Sequence, residues 1–252
     1  MRGASEQRTF IGIAALCFVA SAAVTVAWCA SMPSMHGMSM AWMRMPGQGW
    51  PGAAATFAGM WAVMMVAMML PALVPMLMNY RAALPRAARE RRGGLTLRVA
   101  AGYFGVWTLA GVIAYPPGVM LMELVMRVPE AAQAVPIAAG IVTMLAGAWQ
   151  LSAWKARQLA CCRETLDCCR PPAATAGTAW RHGFNLGLRC LRCCAPLTAW
   201  LFVMGVMEVR AMILVTGAIA VERLVPRNSR AVQAIGGAML AGGLLGVLRA
   251  LE

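Results

Sequence analysis

Three cysteines, Cys190, Cys193 and Cys194, are the residues of this sequence whose types and spacing point most directly to chemistry. On a helix, positions i, i+3 and i+4 bring the three sulfurs to one face. Thiolates are soft ligands that suit Cu(I) and also bind Zn(II). No histidine follows Cys193, so a c-type haem motif is absent. The spacing predicts a soft-metal site, with buried space-filling cysteines as the alternative.

Methionines form a second group of soft donors, with 22 copies in the chain. Met60, Met64 and Met68 recur at i, i+4 and i+8 of one apolar segment, which makes a stripe on a helix. Met65 and Met69 form a neighbouring stripe. A thioether is both apolar and a soft ligand, so the pattern indicates either a ladder that hands a soft cation along the helix or a packed helix face. The candidate ligands here are Met64, Met65, Met68 and Met69.

A third group lies between Met32 and Met45, where six methionines and one of the two histidines fall within 14 residues. Thioethers with an imidazole suit Cu(I) in an oxidising compartment, where free thiols are lost to disulfides. The alternative is an amphipathic segment on the membrane surface, with Trp42 in the interface. The candidate ligands in this segment are Met35, His36, Met38 and Met40.

Two vicinal cysteine pairs, Cys161-Cys162 and Cys168-Cys169, match no standard zinc or iron–sulfur spacing. They could bind Zn(II) or Cu(I), take part in thiol exchange, or remain inert or palmitoylated. The sequence leaves these alternatives open.

Three further polar residues are candidate members of a site. His182 precedes the cysteine-bearing segment and could join its site. Glu208 and Glu222 are expected at membrane interfaces, where ion pairs with Arg210 and Arg223 would account for them.

Apolar helices must position all of these groups. The chain of 252 residues is 61% hydrophobic and 12% charged, with a mean hydropathy of +0.67, which excludes an ordinary soluble globular protein. Its apolar blocks are long enough to cross about 30 Å of hydrocarbon. The predicted fold is therefore all-α, a polytopic transmembrane helical bundle in one domain, 1–252. The seven predicted spans are 10–30, 57–78, 99–122, 136–154, 186–207, 211–225 and 231–248.

The basic residues set the predicted orientation. With the N-terminus inside, the inner segments hold 18 Arg and Lys and the outer segments hold 4, as the positive-inside rule requires. Merging the fifth and sixth spans would move three arginines outside, so a break is predicted at 208–210. The first span is longer than a signal-peptide core and lacks its cleavage pattern, which favours a retained anchor.

The net charge of +13 does not indicate a nucleic-acid partner, because no basic run is interleaved with aromatic residues. Arginine supplies 21 of the 22 basic residues, and Lys155 is the only lysine. The sequence also has no Walker loop, no Ser/His/Asp set and no paired carboxylates, which argues against a hydrolase or an ATP-driven pump on this chain alone.

Two motifs together resemble a family of bacterial predicted metal-binding integral membrane proteins. The first is Trp61-x2-Met64-Met65-x2-Met68-Met69-x-Pro71-x3-Pro75, and the second is Gly187-x2-Cys190-x2-Cys193-Cys194, followed by Leu201-Phe202-x2-Gly205-x-Met207 and Glu222. The resemblance covers about 57–225. It implies a multi-pass protein of the bacterial inner membrane that binds metal through these Met and Cys positions. Arg189 and Arg192 depart from the apolar residues expected among the cysteines.

Three functional hypotheses follow. The first is a membrane protein that handles a soft metal ion and transports it or delivers it to a membrane or periplasmic partner. The favoured ion is copper as Cu(I), with zinc as the other candidate. The second is a membrane thiol-redox protein. The third is an assembly or scaffold subunit whose glycine-rich last span docks partners through Gly236, Gly242 or Gly243.

Overall fold

The computed structural model describes residues 2–31, 42, 49–88, 90–163, 175–224 and 230–252. Over these residues the chain is helical, with a short 3₁₀ turn at Arg86–Ala88 and no strand. The eight α-helices are α1 (Arg2–Ser31), α2 (Trp50–Ala83), α3 (Arg92–Arg127), α4 (Pro129–Gln150), α5 (Ala153–Arg163), α6 (Ala176–Met204), α7 (Val209–Leu224) and α8 (Ala231–Leu251).

Six of these helices, α1, α2, α3, α4, α6 and α8, are long and apolar enough to cross a membrane. The chain is therefore all-α, with the features of a membrane protein. The α7 helix has 16 residues, so it is shorter than a standard span. Predicted span 136–154 differs from the structure, because α4 ends at Gln150 and a separate helix, α5, begins at Ala153.

The chain breaks between α6 and α7 at 205–208, slightly before the predicted position. Gly205 has φ of 105°, a conformation that side chains with a Cβ disfavour. Glu208 then caps α7, since its Oε2 accepts a hydrogen bond of 2.6 Å from the backbone N–H of Ala211. This carboxylate was expected in an ion pair with Arg210, and the structure instead gives it a capping role.

Glycines bring α3 and α6 into close contact. A Cβ at Gly102 would lie 2.6 Å from the carbonyl oxygen of Trp180, and one at Gly187 would lie 2.9 Å from that of Tyr103. Small residues permit such approaches between membrane helices. The crossing sets Tyr103 on α3 against the cysteines of α6.

Glycines also join α4 to α8. A Cβ at Gly147 would lie 3.0 Å from the carbonyl oxygen of Gly236, and one at Gly243 would lie 2.7 Å from that of Gly140. Gly236 and Gly243 therefore serve packing within the chain. The space beside Gly242 is open.

Candidate metal centre

Two of the predicted cysteine ligands form a close pair in the core. Cys190 Sγ and Cys194 Sγ lie 3.8 Å apart on one face of α6, and each residue is 1% exposed. The hydroxyl of Tyr103 lies 2.9 Å from Cys190 Sγ. The i, i+4 spacing and the close α3–α6 crossing account for this arrangement. Two soft sulfurs at this separation can serve as ligands to one ion.

Cys193 is equally buried, and its backbone carbonyl accepts a hydrogen bond of 2.5 Å from Lys155 Nζ. Over the described ranges, no three His, Cys, Asp or Glu side chains are gathered closely enough to hold a metal ion. Methionine thioethers are the other soft donors that the described helices carry.

All of the methionines predicted as a ladder point into the core. Met60, Met64, Met65, Met68 and Met69 are each 5% exposed or less. Burial of both stripes is compatible with packing and with a ligand role. Burial therefore does not distinguish packing from a ligand role, whereas the position of the stripes relative to the thiols bears on it.

Two ring contacts fix the register of α2 against α6. Trp61 stacks on Phe202 with ring centroids 5.3 Å apart, and Tyr80 stacks on His182 at 5.3 Å. The contacts are separated by nearly equal lengths of the two helices, which therefore run antiparallel and in step. Met69 follows Trp61 by as many residues as Cys194 precedes Phe202. The end of the methionine stripe at Met68 and Met69 thus lies level with the thiol pair. Both are about 12 Å along the helices from the contact between Trp61 and Phe202.

Arg223 on α7 links the thiol pair to α2. Its Nη2 lies 3.9 Å from Cys194 Sγ, and its Nη1 lies 3.6 Å from Met76 Sδ. The sequence suggested that Arg189 and Arg192 would provide positive charge beside the thiols. In the structure Arg192 is exposed, and Arg223 brings a guanidinium group to the Cys194 thiol.

A buried ion pair lies behind the cysteines. Lys155 Nζ is 2.9 Å from Glu222 Oε2, and Gln150 Nε2 donates to Glu222 Oε1. The side chains of Lys155 and Glu222 are 0% and 1% exposed. The sequence suggested Arg223 as the partner of Glu222, and the structure also gives Glu222 a buried partner in Lys155, which α5 carries into the core. Sequence reasoning missed Lys155, although its being the only lysine in an arginine-rich chain was a signal.

His182 does not join the thiol pair. Its ring stacks on Tyr80, about 12 Å along α6 from Cys190. Another soft pair lies elsewhere, where Cys29 Sγ on α1 is 3.8 Å from Met207 Sδ in the α6–α7 turn.

The remaining predicted ligands lie outside the described residues. Met35, His36, Met38 and Met40 belong to this group, as do Cys168 and Cys169, and only the helical backbone of Cys161 and Cys162 is described. Trp42, within the methionine-rich segment, is described. Its ring centroid lies 4.9 Å from that of Phe57 and 5.9 Å from that of Phe202. These contacts hold Trp42 beside the contact between Trp61 and Phe202.

A family model described as PpoB2, copper chaperone, matches residues 58–246. The matched stretch includes the α2 methionines, the three cysteines of α6, and the Lys155–Glu222 pair. No curated protein matches the chain, and no solved structure does. The match confirms the resemblance to a metal-binding family and supports copper as the metal. Because it covers most of the sequence, the chain belongs to the PpoB2 copper chaperone family.

Proposed function

We propose that this protein is a membrane-embedded copper chaperone that binds Cu(I) between Cys190 and Cys194 and passes it to a partner protein. The observation that carries the proposal is the 3.8 Å separation of the two buried sulfurs. With metal–sulfur bonds of about 2.3 Å, one ion can reach both. Soft thiolate and thioether donors favour Cu(I), and the family match supports the same metal.

Zinc is the less favourable cargo for this centre. Structural Zn(II) requires four ligands in a tetrahedral arrangement. Within the described part of the chain, no group of three or more His, Cys, Asp and Glu side chains has an arrangement that could hold a metal ion. A Cu(I) ion held by two thiolates makes a smaller demand on the chain.

The charge around the pair also suits Cu(I). Two thiolates and one Cu(I) carry a net charge of −1, which is costly to bury without compensation. The Arg223 guanidinium, 3.9 Å from Cys194 Sγ, supplies the compensating positive charge. The Tyr103 hydroxyl, 2.9 Å from Cys190 Sγ, can donate a hydrogen bond to the second sulfur.

The methionine stripes of α2 would deliver the ion to this pair. They begin beside Trp61, where Trp42 anchors the methionine-rich segment through Phe57 and Phe202. They end level with Cys194, as the α2–α6 register indicates. Met35, His36, Met38 and Met40 would capture Cu(I) outside the membrane, and Met64, Met65, Met68 and Met69 would carry it inwards. Cys193 would supply a further thiol next to this pair.

The membrane arrangement that fits this route has the N-terminus inside and seven crossings in the inner membrane. The sixth crossing would be α7. Its last turn carries Glu222 to Gln150 at the end of α4, and Gly236 on α8 packs against Leu151 at the same end. Although α7 is short, its last turn would then lie at the inner end of the bundle.

The experiment is to measure copper in detergent-purified protein from copper-supplemented cells, in the unmodified chain, in Cys190→Ser/Cys194→Ser and in Cys17→Ser. Cys17 is exposed on α1 and serves as the matched control. We expect near-stoichiometric copper in the unmodified chain and in the control, and its loss in the double variant. If no form retained copper while free-thiol counts followed the ambient redox potential, the thiol-redox hypothesis would replace this one.

A further inference from the structure

A cavity of about 540 Å³ opens between α1, α2 and α3, away from the metal centre. One end is polar, where Glu6, Arg81 and Arg92 line it. The rest is apolar, and the side chains along it belong to Ile13, Ala14, Leu70, Val74, Leu77 and Ala100. The cavity thus has a charged mouth and an apolar body that runs along the first helix.

The charges at the mouth are unbalanced. Arg92 Nη1 lies 3.4 Å from Glu6 Oε2, so the single carboxylate there already has one partner. Arg81 lies over the Phe10 ring, with its Cζ 4.6 Å from the ring centroid. The Nε of Arg92 is buried and has no hydrogen-bond acceptor among the residues that the structure describes. Among the described residues that line the cavity, two guanidinium groups therefore meet one carboxylate, which leaves a donor set suited to an anion.

The position of the mouth fits a membrane surface. Glu6 lies near the start of α1, Arg81 near the end of α2 and Arg92 at the start of α3. These three helix ends meet on one side of the bundle, the side at which the basic residues predict the cytoplasm. The apolar body extends from there towards the middle of the three helices.

We propose that this cavity binds an anionic phospholipid, with its phosphate between Arg81 and Arg92 and an acyl chain along the apolar body. The inference rests on the membrane embedding proposed above. Basic pockets between membrane helices on the cytoplasmic side are suited to anionic head groups. A free phosphate would use only the mouth, whereas a phospholipid matches both the charge and the apolar length. Bound lipid would also fill the space beside α1.

The test is lipid binding by the detergent-purified full chain, measured by native mass spectrometry and by the shift in thermal unfolding midpoint. The probes are phosphatidylglycerol, phosphatidylcholine with the same acyl chains, and glycerol phosphate as the head group without chains. The variants are Arg81→Gln/Arg92→Gln and the control Arg98→Gln, which changes an exposed arginine of α3.

We expect phosphatidylglycerol, and neither of the other two probes, to bind and stabilise the unmodified chain and the Arg98→Gln control. The double variant should bind it roughly 30-fold more weakly. Equal binding of the two lipids, or an undiminished preference in the double variant, would overturn the proposal. Equal stabilisation by glycerol phosphate would reduce the site to an anion site and would also overturn it.

A further variant, Ala14→Trp, tests the apolar body while the arginines stay in place. It should lower phosphatidylglycerol binding, and unchanged binding would contradict the placement of the acyl chain. Copper content, measured on the same preparations, separates the two proposals. If lipid binding fails and copper is retained, only the lipid proposal falls, whereas loss of copper binding in the unmodified chain counts against the proposed function.

Discussion

Lys155 Nζ lies 2.9 Å from Glu222 Oε2, and both side chains are almost completely buried. The same amine donates to the carbonyl of Cys193. This single side chain therefore connects α5, α6 and α7 directly behind the thiol pair. Pro196 lies one turn further along α6 and has no N–H to donate, so the lysine supports a stretch of helix that has lost a main-chain hydrogen bond.

Lys155→Met should destabilise the protein by about 3–5 kcal/mol, because it leaves the Glu222 carboxylate buried without its cation. The double variant Lys155→Met/Glu222→Met should recover most of this loss, since an apolar pair removes both buried charges. The check is a double-mutant cycle on the free energy of unfolding in detergent. Additive effects of the two substitutions would show that the pair is not coupled.

Arg223→Gln should weaken Cu(I) binding. The substitution removes the positive charge 3.9 Å from Cys194 Sγ, so the net negative charge of a Cu(I)–dithiolate centre is left uncompensated. The measurement is a competition titration with a Cu(I) chelator, with Arg210→Gln, an exposed arginine on the same helix, as the matched control. Equal affinities in the two variants would remove Arg223 from the centre.

Tyr103→Phe should lower Cu(I) affinity by roughly tenfold, as expected from the loss of one hydrogen bond to a charged group. The hydroxyl lies 2.9 Å from Cys190 Sγ, and the aromatic ring stays in place in the variant. The same titration gives the result, with the thermal midpoint measured in parallel. Unchanged affinity would mean that the hydroxyl does not act on the sulfur.

Met68→Leu/Met69→Leu should slow the loading of copper and lower the affinity while preserving the fold. Exchange between Leu and Met conserves side-chain volume and costs less than about 1.5 kcal/mol per site, so the loss of the thioethers is the main change. Stopped-flow loading from a Cu(I) donor measures the rate, and Met120→Leu, an exposed position on α3, is the control. Loading as fast as in the control would assign these methionines to packing alone.

Local patterns in the sequence predict the long apolar helices and the face that Cys190 and Cys194 share, although they do not separate α5 from α4. Apolar blocks predict membrane helices because a helix needs about 20 apolar residues in a row to cross the hydrocarbon. The i, i+4 spacing of Cys190 and Cys194 brings their sulfurs to one face of any helix. The register of α2 against α6 and the Tyr103 contact depend on packing between distant segments, which periodicity does not encode.

Lys155 illustrates the limit most clearly. In sequence it stands among basic residues of a predicted cytoplasmic loop, where a lysine is ordinarily solvated. Its burial requires α4 to end at Gln150 and α5 to pack against α6 and α7. Only then does Glu222, distant in sequence, become its partner. The local sequence around either residue alone predicts an exposed charged side chain.

The most direct test of the account is X-ray absorption at the copper K edge of the Cu(I)-loaded protein, which counts the sulfur atoms bound to the metal. We predict a ligand shell made of sulfur in the unmodified chain and in Cys17→Ser, and the loss of the two thiolate ligands in Cys190→Ser/Cys194→Ser. A shell of nitrogen or oxygen ligands in the unmodified chain, or a sulfur shell that survives in the double variant, would contradict the claim that Cu(I) binds between Cys190 and Cys194.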